Sequence, residues 1–123
     1  MSYKASKARV HAFLVAANFI GLALFAVPPA AAEDSLATIL SPADGAKLEA
    51  KHTYKLEYEV KAAEKVDHVH LFVDGDEVGM AHKLKGSFKL GPLKAGDRKV
   101  CVSPVNKNHT PVGAQACINV TVQ

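Results

Sequence analysis

His68-Val69-His70 sets two imidazoles two residues apart. On a β-strand, residues i and i+2 project from the same face. Two imidazoles held that way form a ready chelate for zinc or copper. The plainer reading is two solvated rings on an outward strand face, or rings packed on a neighbouring aromatic such as Phe72. Met80, His82 and His109 are further donors within reach of this strand, and His52 stands alone before another strand, as a solvated residue would.

Whether those donors meet depends on one hairpin. The run Val73-Asp74-Gly75-Asp76-Glu77-Val78 carries a hairpin signal at Asp74-Gly75. A three-residue loop, Asp74 to Asp76, would set His70 opposite Met80 and His68 opposite His82. That register gives three histidines and a thioether on one face, a set that favours Cu(I). A two-residue loop would set Val69 opposite Met80, bury Val78 and Met80, and dissolve the cluster. A slip of one residue flips every side chain, and the sequence leaves both registers open. His109 sits at the tip of a later loop, Asn106 to Pro111. It is either an ordinary polar tip or, in an immunoglobulin-like strand order, a residue at the same end as the start of the His68 strand.

These donors need strands to position them, and the sequence supplies strands. Tyr54, Leu56, Tyr58 and Val60 alternate with Lys55, Glu57, Glu59 and Lys61, which marks a half-buried strand over 53–61. Residues 66–73, 99–105 and 114–122 read as three more strands. Residues 36–40, 77–84 and 87–90 are weaker candidates. In 66–73 the apolar set Val69, Leu71 and Val73 should face the core, which leaves His68 and His70 on the outer face. Pro42-Ala43-Asp44-Gly45, Gly91-Pro92 and Ala95-Gly96-Asp97 supply turns. No stretch has convincing helical periodicity. Seven short strands predict an all-β, immunoglobulin-like antiparallel β-sandwich over 33–123.

The two cysteines fit that sandwich. With Val100, Val102, Ile118 and Val120 inward, Cys101 and Cys117 point outward from the last two strands. Pairing them centres the hairpin on residue 109. A disulfide there is worth about 3 kcal/mol in the chain-entropy view, and a neutral body this short needs it.

The chain has 123 residues and a formal charge of +3. That charge resides in Lys4, Lys7 and Arg9; over 33–123, 11 Lys and one Arg balance 12 acidic residues. The basic start, the apolar run Ala12 to Val27, Pro28-Pro29 and Ala30-Ala31-Ala32 read as a signal peptide over 1–32, cleaved after Ala32. An uncleaved anchor is the alternative. No cysteine follows the alanines to accept a lipid. The expected location is periplasmic or secreted, where cysteines form disulfides. The neutral body argues against a nucleic-acid partner, and no membrane contact is expected once the signal is removed.

Ser41-Pro42-Ala43-Asp44-Gly45-Ala46-Lys47-Leu48 resembles the opening of the periplasmic copper-resistance (CopC-type) proteins, small secreted immunoglobulin-like copper binders. Leu93-Lys94-Ala95-Gly96 and His109-Thr110-Pro111-Val112-Gly113 are similar to the end of that family. The resemblance implies the fold and places His109 at a ligand position. The family's other ligands are missing: a mature chain would begin Glu33-Asp34 rather than with histidine, and Lys107 stands where an acid is expected.

Among enzyme signatures, no Gly-x-Ser-x-Gly, His-Glu-x-x-His or phosphate loop is present. Asp67 beside His68 is not read as a dyad, because neighbouring strand residues face opposite ways. An enzyme is therefore not expected. The expected function is non-enzymatic metal binding through His68, His70, His82, His109 and Met80, with copper as the cofactor and zinc the alternative ion. The competing class is an interaction or structural module of the cell envelope, with a protein partner and no metal.

Overall fold

The computed structural model describes Gly21 and residues 35–123. Gly21 apart, the segment read as a signal peptide and the proposed terminus at Glu33 lie outside the described residues. The described chain is all β. Its strands are β1 (Ala37–Ser41), β2 (Lys47–Leu48), β3 (Tyr54–Val60), β4 (His68–Val73), β5 (Asp76–Ala81), β6 (Lys85–Leu90), β7 (Gly96–Val105) and β8 (Ala116–Val122). They form two sheets, β1-β3-β6 and β2-β8-β7-β4-β5. The result is an immunoglobulin-like β-sandwich. The seven expected strands are present, with a two-residue β2 added in parallel to β8. β7 starts at Gly96, inside what reads in sequence as a turn.

Alternation builds the core. Leu56, Tyr58 and Val60 of β3, with Phe88 and Leu90 of β6 in the same sheet, face Val69 and Leu71 of β4 and the inward valines of β7 and β8 in one cluster. Tyr58 stacks on Phe88 at 4.9 Å between ring centroids, and its buried hydroxyl donates to the Lys83 carbonyl at 2.6 Å. That bond lets a phenol lie in an apolar layer without an unpaired polar atom.

The register of the β4–β5 hairpin combines the two open alternatives. Asp74 and Gly75 both have positive φ (51° and 85°), as a two-residue type I′ turn requires. Val73 therefore pairs with Asp76 and Phe72 with Glu77. The Asp74 carboxylate accepts from the Lys99 N–H at 2.9 Å and from Arg98 at 3.1 Å, which fixes the turn against β7. Those bonds, the backbone one first, hold its pKa below the ordinary carboxylate value. The register then shifts: Leu71 pairs with Gly79, and Val78 is the extra residue of a β-bulge. Beyond the bulge His70 lies opposite Met80 and Val69 opposite Ala81. The turn is the two-residue one, while the pairing beyond it is that of the three-residue loop. Gly79 permits this approach, since a Cβ there would sit 3.2 Å from the Phe88 ring.

Candidate metal centre

β4 carries His68 and His70 on the face away from the core. Both are nonetheless buried, at 2% and 4% exposure, which excludes the plainer reading of two solvated rings. The cover comes from the β7–β8 loop. Val105 bridges Pro111, and the Val112 N–H donates to the Pro104 carbonyl at 2.9 Å, so the loop folds back over the start of β4. His109 at its tip has φ 62°, a left-handed conformation that few non-glycine residues adopt. Asn106 holds it there. Its side-chain oxygen accepts from the N–H groups of Asn108 and Thr110, and its carbonyl accepts from the His109 N–H.

The three rings converge. His68 Nε2 is 2.8 Å from His70 Nε2 and 3.2 Å from His109 Nδ1, and His109 Nδ1 is 3.1 Å from His70 Nε2. Each edge of this triangle is close to the spacing of neighbouring nitrogens around one ion with metal–nitrogen bonds of about 2.0–2.1 Å. His68, His70 and His109 are therefore the residues that would hold such an ion.

The outer nitrogens meet carboxylates. His68 Nδ1 is hydrogen-bonded to Asp67 Oδ2 at 2.9 Å, and Glu77 Oε1 lies 3.3 Å from His70 Nδ1. An ionised carboxylate only accepts, so it favours a proton on each Nδ1 and leaves each Nε2 of a neutral ring with a lone pair. Those two lone pairs then face each other at 2.8 Å. A proton on His109 Nδ1 relieves part of that repulsion; a cation at the centre satisfies all three nitrogens. Carboxylates behind metal-bound imidazoles fix the tautomer and strengthen the ligand in this way. Burial lowers the His70 pKa most; Glu77 opposes the shift, and His68 and His109 add to it. His70 is thus neutral at pH 7, the form a metal needs.

The premise that Asp67 and His68 face opposite ways is corrected: their side chains are hydrogen-bonded. Asp67 precedes β4, so strict strand alternation does not govern its side chain. Glu77 was also missed as a site residue. Its signal lay in the two-residue turn, which pairs it with Phe72 and sets it diagonally from His70 on the same face.

Of the other expected donors, His82 is beside the triad rather than in it. Its ring centroid is 5.3 Å from that of His68, and its Nδ1 is 4.0 Å from Asp67 Oδ2. Met80 holds the register position across from His70 and is half exposed. His52 pairs with Glu49 at 2.6 Å, exposed and remote in sequence from the triad. Cys101 and Cys117 pair directly across β7 and β8 and form the expected disulfide, with Cα atoms 4.1 Å apart. Cys101 lies opposite Phe72, so the disulfide braces the sheet face that carries the histidines.

No protein-family model and no curated protein sequence matches this chain. Its fold is similar to the fibronectin(III)-like modules of Clostridium thermocellum CbhA. The match has TM-score 0.59 and 14% identity, and covers 71% of this chain and 95% of that one. A lytic polysaccharide monooxygenase from Jonesia denitrificans also matches, with TM-score 0.49 and 18% identity over 67% of this chain and 60% of that one. At 14% identity the likeness to the fibronectin(III)-like modules shows the fold alone, an immunoglobulin-like β-sandwich.

Proposed function

We propose that this protein is a periplasmic or secreted, non-enzymatic metal-binding protein that handles copper through His68, His70 and His109. One observation carries the reading: three imidazole nitrogens meet within 3.2 Å, two of them on buried rings whose outer nitrogens face carboxylates. Neutral imidazoles suit copper and zinc, and copper stands highest in the divalent affinity order. The thioether of Met80 stands across from His70 in register, and its addition to the three imidazoles would favour Cu(I). The disulfide agrees with an oxidising compartment.

Titration of the full chain with Cu(I), Cu(II) and Zn(II) tests this. Binding with copper preferred is expected. His109→Gly keeps the left-handed backbone and removes one ligand, so its affinity should fall by more than the roughly 10–100-fold cost of losing a supporting carboxylate. His52→Ala should bind as the native chain does. Unchanged affinity in a His68→Ala, His70→Ala double variant overturns the site.

A further inference from the structure

We infer that Asp67 and His82, together with the outer nitrogen of His68, form a second cation site that shares His68 with the triad. The inference rests on the triad binding an ion, and it adds a second ion to it. Asp67, His68 and His82 each offer one ligand atom, and these atoms lie within 4.8 Å of one another. Asp67 Oδ2 is central: it is 2.9 Å from His68 Nδ1 and 4.0 Å from His82 Nδ1. The first distance already suits two ligands at a right angle around one ion. The second needs only a rotation of the His82 ring, whose side chain is 71% exposed and free to turn.

The shared residue gives the site its character. His68 is held rigidly, with Nε2 aimed into the triad and Nδ1 aimed at Asp67. Asp67, an acceptor, favours a proton on the Nδ1 of this ring. A second ion binds Nδ1, that proton leaves to solvent, and Asp67 changes from hydrogen-bond acceptor to ligand. The ring becomes an imidazolate bridge between the two ions. Neither ion changes oxidation state. The set of two imidazole nitrogens and one carboxylate suits a borderline divalent ion, Cu(II) or Zn(II), rather than Cu(I). The outer set opens to solvent on the side of His82, whose side chain is 71% exposed.

Stepwise addition of Cu(II) to the full chain, followed by electron paramagnetic resonance and calorimetry, tests the bridge. Two equivalents are expected. The resonance should grow to the first equivalent and then fall on the second, because an imidazolate couples two Cu(II) spins. His82→Ala should lose the second equivalent and its signal quenching, while the first stays in place. His109→Gly should weaken the first. A single equivalent that depends on His109 and not on His82 overturns the bridge and leaves the triad standing. A second equivalent that persists in His82→Ala, or that leaves the resonance undiminished, also overturns the bridge. Absence of any equivalent dependent on His109 overturns the triad and the bridge with it.

Discussion

The inward face of β4 carries Val69 and Leu71, and its outward face carries His68 and His70; all four are at most 4% exposed. The inward pair is buried by volume alone, against Leu56, Tyr58 and Phe88 of the opposite sheet. The outward pair is buried by partners: a carboxylate facing each outer nitrogen, and the His109 loop across the inner ones. Apolar burial asks for shape, and many residues supply it. Polar burial asks that each nitrogen find a complementary atom. On the outward face a carboxylate answers each outer nitrogen of His68 and His70, while at the centre three nitrogens meet with no carboxylate among them. That centre is where the proposed ion would sit.

The contrast can be broken from either side. Leu71→Ala should cost about 2–5 kcal/mol by denaturant unfolding, the usual price of emptying a packed core site, and the folded fraction should keep its metal affinity. Replacing both Cys101 and Cys117 by alanine should cost about 3 kcal/mol in the same measurement. Because the disulfide braces the histidine face without supplying a ligand, metal affinity of the folded variant should change little. Asp67→Asn should leave stability nearly unchanged and weaken metal binding by about 10–100-fold in titration, since it loosens the orientation of His68. Equal metal loss in Leu71→Ala and Asp67→Asn would show that the two faces are not separable.

The smallest effect concerns pH. His70 has its pKa lowered from 6.5 by burial, against the opposing pull of Glu77. Below about pH 6.5 the unfolded chain takes up a proton at this position that the folded chain resists. Stability of the metal-free protein should therefore fall as pH drops below that value, and level off once His70 titrates in the fold. Thermal unfolding from about pH 7.5 down to 5 should show the decline, and His70→Gln should reduce its slope. A metal-free protein whose stability rises over that range would contradict the assignment of His70 as a neutral buried ring.

Much of this was legible in residue order. Alternation marked strands over 53–61 and 114–122 that match β3 (54–60) and β8 (116–122) to within two residues, because a half-buried strand writes its two environments into successive residues. The disulfide followed from the outward parity of Cys101 and Cys117, and the pairing register agrees. His68 and His70 were recognisable as a same-face pair for the same reason. Only the fold decided that this face is buried, since burial came from a loop whose closure depends on Asn106 bonding backbone groups around His109. Only the fold decided the hairpin register, because a bulge at Val78 leaves no mark in a period-2 pattern. Asp67 and Glu77 became site residues through geometry at a strand end and along a cross-strand diagonal. Periodicity reports which face a residue takes along one strand. Which groups from other strands and loops arrive at that face depends on contacts far apart in sequence, and those are settled by packing.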